Sequence, residues 1–463
     1  MSICLLGMDS KVKSASIRIH VSDDHSLIRL ANGLPWTALE EIALRDLKRT
    51  PKGFWWRGPR LILRLHLAAY ILQARFDMTD RQMEEELRFN AAFQVFCGCT
   101  IIRGWHAIDH TSICKFRLRL KPETARAILI EVVKTAEALG FADPSWMDVD
   151  STVQEANISY PSDANLMLKL AKDGEKLRQW LKDHIKFLPD RILPHALGEI
   201  SAKAKEYFFL SKKTAIEKKR EVFAGLHRLV KKNTYELIDV FNQLNHQELK
   251  QMPSRLHRLK DRILENGRRY LLDVAHFIRT GNIKEGKILS FHAAAVACIP
   301  KGKSGKPFEF GRVFQLGRIG GNFLIPLACS AVRLEDKHSL LPMIEEHAFI
   351  FGAGRLDSIG ADKGYYSHKN VLGAFERGVT EIGLQKPGVT DSALSLEHEM
   401  MAKRLRDRRA GIEPLIGHAK RFGLAKSRMK SDMATLASGY RSILGFNLRQ
   451  IERHQEGLMK KTA

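Results

Sequence analysis

The stretch SWMDVDSTVQEA, residues 145–156, changes the period of the chain. Upstream of it, apolar residues recur at helical spacing. Here they alternate, with Asp148 and Asp150 on one side of an extended segment and Met147 and Val149 on the other. A strand that buries one face and carries two acids on the other needs sheet partners, and the later sequence supplies them. Strand signals resume at KILSFHAAAVACIP (287–300) and continue through FEFGRVFQLGR (308–318) and NFLIPLACSAVRL (322–334). The turn KGKSGKP (301–307) joins the first two as a hairpin; it is not a nucleotide loop, because Ala297 stands where a phosphate-cradling motif needs glycine. A helix over 337–348, a strand ending in DSIGADKGYYS (357–367), a helix over 368–377 and the strand EIGLQKP (381–387) follow. Alternation of this kind predicts a mixed α/β fold.

Between the first strand and the rest, residues 164–281 return to helical spacing, broken at Pro189, Pro194 and Pro253. Leu226, Leu229, Leu237 and Leu244 form apolar stripes there, so the segment reads as an inserted helical subdomain. Its lysines and arginines form either a solvated face or a surface turned to phosphate. Upstream lies a helical block. TALEEIALRDL (37–47) and RGPRLILRLHLAAYILQARF (57–76) have helical spacing, and Thr79 with Gln82 forms a capping box for DRQMEEELRF (80–89). Asp109 or Thr111 caps the basic segment SICKFRLRLK (112–121), and a further helix covers 123–139. The expected organisation is a helical DNA-binding or dimerisation domain over 1–140, a catalytic domain over 141–453 interrupted by the insertion, and a tail over 454–463.

Charge narrows the partners. The 463 residues hold 75 Lys and Arg against 52 Asp and Glu, a formal net charge of +23, which points to nucleic acid. No apolar run reaches the roughly 18–20 residues that span a bilayer. The opening MSICLLGMDSKVK lacks the order of a signal peptide, so the expected location is the cytoplasm, in association with the nucleoid. Six cysteines fit a reducing compartment better than a disulfide framework. Cys97, Cys99, His106 and His110 could supply zinc ligands, but C-x-C followed by H-x3-H is not a common zinc spacing; buried thiols and a helix-entry histidine are the plainer reading.

Three acids stand out by position: Asp150 on its strand, Asp362 at a glycine-bearing turn after a strand, and Glu413 in a helix surrounded by positive charge. Residues 401–430 hold ten Lys or Arg and only Asp407 and Glu413 as acids. Carboxylates brought together in this way suit magnesium, which prefers oxygen ligands. No G-x-S-x-G or H-E-x-x-H pattern supports a serine hydrolase or a zinc protease.

The strings DSTVQEANISYPSDA (150–164), ADKGYYS (361–367) and RRAGIEPLIGHAKRFGL (408–424) resemble, in order and in flanking residues, the three blocks around the catalytic acids of DDE transposases of the insertion-sequence-five-like group. The KGK turn followed by Glu309-Phe310-Gly311, and RFDMTDRQMEEELRFNAAFQVFCG (75–98), are similar to that group as well; the resemblance runs from about residue 57 to about residue 453. It implies a ribonuclease-H-like mixed sheet with helices on both faces. It further implies catalysis and metal binding by Asp150, Asp362 and Glu413, with two Mg2+ ions that Mn2+ can replace. Arg409 and Lys420 are the implied DNA phosphate contacts. The substrates would be double-stranded DNA of the element ends and of the target, and a homodimer is expected. The sequence departs from the pattern at Arg406, which stands where the group has tyrosine. Pro414 places Glu413 at the start of a helix, and Asp148 is the rival first ligand because it shares a face with Asp150. Two other readings share the same features: an inactive DNA-binding relic or regulator, and a ribonuclease-H-like nuclease without strand transfer.

Overall fold

The computed structural model describes residues 20–47, 60–98, 108–185, 196–211, 213–303, 306–327, 335–384 and 396–462. The amino-terminal block contains α1 (Ser26–Gly33), α2 (Trp36–Leu47), α3 (Arg60–Phe76), α4 (Asp80–Phe89), α5 (Ala91–Phe96), α6 (His110–Arg119) and α7 (Pro122–Ala138). The capping box at Thr79 and Gln82 opens α4, and the Asp109 side chain accepts from the Ser112 amide to open α6. Each cap satisfies backbone donors that a helix start leaves without partners. Pro122 occupies the first turn of α7, where its missing N–H costs nothing.

The sheet begins at β1 (Trp146–Glu155). The chain then leaves it for α8 (Asp163–His184), α9 (Ala196–Phe209), α10 (Ile216–Gln243), α11 (His246–Lys250), α12 (Ser254–Arg262) and α13 (Arg268–Thr280), which Gly281 closes in a left-handed conformation. Afterwards come β2 (Ala297–Lys303), β3 (Lys306–Ile319), β4 (Phe323–Pro326), α14 (Asp336–Phe351), β5 (Ser358–Ala361), α15 (His368–Glu376), β6 (Glu381–Gly383), α16 (Leu396–Ala410), α17 (Ile412–Ala419) and α18 (Asp432–Thr462).

The sheet resumes at Ala297 and not at residue 287 as the sequence suggested. The apolar text between those positions has a different cause. Ile288 and Phe291 belong to the core of the helical insertion, while Ala293 and Val296 pack with Ala156 in a small cluster at its base. The expected turn KGKSGKP falls partly outside the described residues, as do Pro189 and Pro194 of the insertion and residues 328–334 of the third expected strand.

Strand order is β2-β3-β1-β5-β6, with β4 also paired to β3. β1 runs antiparallel to β3 and parallel to β5, and β5 runs parallel to β6. Among the described residues two large cores stand beside the small cluster at Ala156. One is continuous from Leu27 in α1 through the sheet to Ile451 in α18, and the other lies inside the insertion. The insertion enters and leaves through one neck, where Asp163 accepts from Lys287 Nζ at 2.6 Å through its carboxylate and from the Tyr270 hydroxyl at 2.9 Å through its carbonyl.

Candidate active site

Register between β1 and β5 determines which side chains meet. Asp148 stands opposite Gly360 and Val149 opposite Ala361, so one step further along, Asp150 within β1 and Asp362 just past the end of β5 stand side by side. Neighbours in parallel register point to the same face. β5 stops at Ala361, and Asp362 caps a 3-10 turn, Lys363–Tyr365, by taking the Lys363 amide on Oδ1 at 2.7 Å. Asp150 takes the Ser151 amide in the same way at 2.7 Å. Asp362 is exposed and Asp150 half-buried.

The third acid arrives on the helices that cover this face. α16 packs across β1, β5 and β6, which needs glycine beneath it. A Cβ on Gly360 would lie 2.7 Å from Asp148 Oδ1 and 3.3 Å from the Leu405 carbonyl oxygen, and one on Gly383 would lie 2.7 Å from Leu405 Cβ. After Gly411 the chain starts α17 with Glu413 in its first turn, the position Pro414 predicted. Arg409 spans the gap between the strand and the acid of α17: one guanidinium nitrogen is 3.8 Å from Asp150 Oδ2 and another 3.7 Å from Glu413 Oε1.

The three carboxylates share one field. Burial pushes the Asp150 carboxyl above the usual carboxylate range, the Ser151 amide and Arg409 oppose that, and Glu413 and Asp362 push it further up. Among the described residues no three His, Cys, Asp or Glu side chains converge closely enough to hold a metal as they stand; here the guanidinium of Arg409 lies between two of the acids. The donor set nonetheless suits a hard divalent cation, since all three members are oxygen ligands and their mutual repulsion is what such an ion relieves.

Asp148 takes another role. It is fully buried, with Arg408 Nε at 2.9 Å and Arg318 Nη1 at 3.5 Å. Both guanidiniums lie over the Trp146 ring, at 4.7 and 5.2 Å from its centroid. Arg408 also donates to Ser358 Oγ at 2.9 Å, and Arg318 donates to the Arg408 carbonyl at 2.8 Å. The cluster fastens the carboxyl end of α16 to β1 and β5, immediately before Arg409. Alternation put both acids on one face; it could not tell which of them a helix would cover.

A second network lies behind the sheet. Ser151 is paired with Gln315 across β1 and β3, and the buried Tyr365 hydroxyl donates to Gln315 Oε1 at 2.6 Å while Gln315 Nε2 donates to Asp336 Oδ1 at 2.9 Å. Asn370 holds the Tyr365 carbonyl at 2.7 Å. The turn that begins at Asp362 is thereby tied to the opposite face. Sequence reasoning missed Tyr365, although the paired aromatics in ADKGYYS were the signal.

Lys420 follows Glu413 by two helical turns, beyond the end of α17. It shares a surface pocket of about 360 Å³ with Asp77, Asn157, Lys426 and Arg428. The segment Ala425–Ser427 runs beside the far end of β1, with Glu155 N–H donating to the Ala425 carbonyl at 3.0 Å and Ser427 N–H to the Glu155 carbonyl at 2.8 Å. Of the four zinc-ligand candidates, Cys99 and His106 lie outside the described residues. Cys97 is buried in the main core, and His110 Nδ1 lies 2.6 Å from Glu84 Oε2.

Residues 15–119 match the family model described as Transposase domain (DUF772). The matched region is the helical amino-terminal block and precedes β1. A curated relative, "Uncharacterized protein ORF8 in nfe locus" of Rhizobium meliloti, is 29% identical over 170 residues, covering 34% of this chain and 79% of the relative. The family model matches less than half of the chain, and the relative's name gives it no activity. No solved structure matches it. Among the described residues no helix is long and apolar enough to cross a membrane.

Proposed function

We propose that the chain is a DDE transposase that binds the terminal repeats of an insertion sequence, cuts DNA strands at them and joins the freed ends to target DNA. The observation that carries this reading is the meeting of Asp150 and Asp362 at adjacent parallel strands, with Arg409 linking Asp150 to Glu413. Strand order adds support, because a central β1 between an antiparallel β3 and a parallel β5 suits a ribonuclease-H-like core. Ligands of open α/β sheets gather at the carboxyl ends of parallel strands, where Asp362 stands.

Asp150, Asp362 and Glu413 would hold magnesium or manganese. A pair of such ions, when bound, supplies Lewis acidity to the attacking and leaving oxygens of an in-line displacement at phosphorus. Arg409 supplies positive charge beside Asp150 and is placed to turn from the carboxylates to a phosphate oxygen, with Lys420 taking a phosphate further along. The Asp148–Arg408–Arg318 cluster keeps the helices that carry Arg409 and Glu413 in register with β1. Water attacks first and the freed 3′-hydroxyl second, and no covalent protein intermediate is required.

The test is cleavage and strand transfer on DNA carrying the cognate ends. Asp150→Asn is expected to abolish both, by at least about 10³-fold, while end binding persists. Cleavage by that variant at the wild-type rate would remove Asp150 from the chemistry; cleavage without joining by the wild type would favour a nuclease.

A further inference from the structure

The helical insertion presents a positive cleft that the catalytic reading leaves unused. α12 and α8 pack together, and between them lies a cleft of about 680 Å³ lined by Arg255, Arg258 and Arg262 from α12 and by Lys169, Asp173 and Lys176 from α8. Asp173 is already engaged by Lys176 at 2.6 Å. Among the described residues, Lys169, Arg255, Arg258 and Arg262 have no carboxylate at ion-pairing distance. Four cations held together without anionic partners repel one another, and a polyanion is the group that removes the penalty.

Their spacing fits one class of polyanion. Arg255, Arg258 and Arg262 fall on one face of α12 and span about 10 Å of helix axis, close to three phosphate-to-phosphate steps of one DNA strand at about 3.4 Å of rise each. The cleft also connects with the site. Burial, and then the charges of Lys169, Arg262 and Lys430, depress the pKa of His292 against its hydrogen bond with Asn157, so the ring feels cations from the insertion and from the segment after α17. His292 Nε2 lies 3.3 Å from the Asn157 carbonyl, Asn157 Nδ2 donates to the Arg428 carbonyl at 3.2 Å, and Asn157 lines the pocket of Lys420, Lys426 and Arg428. His292 therefore stands between cations of the cleft and the pocket that holds Lys420, joined to the latter through Asn157.

From this arrangement we infer that the α8–α12 cleft is a docking site for the sugar-phosphate backbone of duplex DNA, holding the duplex where it leaves the active site. The inference rests on the proposal that DNA is the substrate, though not on any catalytic role of the three acids. α12 has no buried residue, so its arginines can be neutralised without touching a core.

The experiment measures binding of a 30-base-pair duplex to the full chain, without divalent ions, over a range of salt concentrations. Arg255→Gln/Arg258→Gln/Arg262→Gln is compared with wild type and with Lys213→Gln/Lys218→Gln/Arg220→Gln, which removes three cations of the insertion outside the cleft. Each lost phosphate contact lowers the slope of log K against log salt by about 0.9, so the cleft variant should lose up to about 2.7 in slope and at least about tenfold in affinity at 0.15 M salt. The control should change much less, and circular dichroism should show both variants folded. An unchanged slope in the cleft variant, or an equal loss in the control, overturns the cleft while leaving the transposase reading intact. Failure of the wild type to bind DNA at all would overturn both.

Discussion

Asp150 sits where an ionised carboxylate is costly in the free protein. Burial, aided by Glu413 and Asp362, raises its pKa above the unfolded value. The protonated form is then favoured by folding: Asp150 adds stability below the unfolded carboxyl pKa of about 3.9 and loses that contribution as pH rises through its folded value. Asp150→Asn removes this titration, so at pH 7 without divalent ions the variant should melt above the wild type, and the difference should vanish as pH falls below the ordinary carboxylate range. Thermal melts at several pH values check both signs; a variant that melts lower at pH 7 contradicts the electrostatic account. Burial pushes the Asp148 carboxyl up as well, opposed by Arg408 and Arg318, the two guanidiniums that pair with it. Arg408→Ala leaves a buried carboxylate with Arg318 alone, and should cost about 3 kcal/mol in a denaturant titration. Loss of under about 0.5 kcal/mol would mean that the cluster does not fasten α16.

At the scale of elements, what was legible in the sequence follows the range of the interactions. Capping at Thr79 and Asp109, the alternation in β1 and the helix at 368–376 are local, and their signals lie within a few residues. The segment 287–296 misled because its apolar residues serve two different clusters and no sheet, which composition does not distinguish. The neighbouring of Asp150 and Asp362 depends on strand register between segments far apart in the chain, and no local pattern encodes it; their association came only from resemblance to a family. Arg408 and Tyr365 were passed over because a buried partner defines each of them. The turn bearing Asp362 gives an element-scale prediction. Tyr365→Phe removes the donor to Gln315 Oε1 and leaves a buried acceptor unpaired, which costs about 1–3 kcal/mol. We expect cleavage to fall more than DNA binding. Equal stability and equal cleavage in this variant would show that Tyr365 does not hold the turn.

The molecule as a whole has, among its described residues, two large cores joined at one neck, and this division has consequences for folding. The main core unites the amino-terminal helices, the sheet and α18, whereas the insertion buries its own apolar set. Replacing residues 162–288 by a short Gly/Ser linker should leave a chain that still unfolds cooperatively, with helical circular dichroism reduced by the missing helices. Loss of the cooperative transition would show that the sheet requires the insertion. On the proposal that DNA is the substrate, the arginines of the α8–α12 cleft would give the insertion a part in holding it, separate from its own stability. Strand-borne Asp150 and Asp362 and helix-borne Glu413 are proposed to form one metal-binding site. Manganese binding to the DNA-bound protein, followed by electron paramagnetic resonance, tests it most directly. Two ions are expected in the wild type, with loss of both in Asp150→Asn and of one in each of Asp362→Asn and Glu413→Gln; undiminished binding in all three variants would mean that these acids hold no metal.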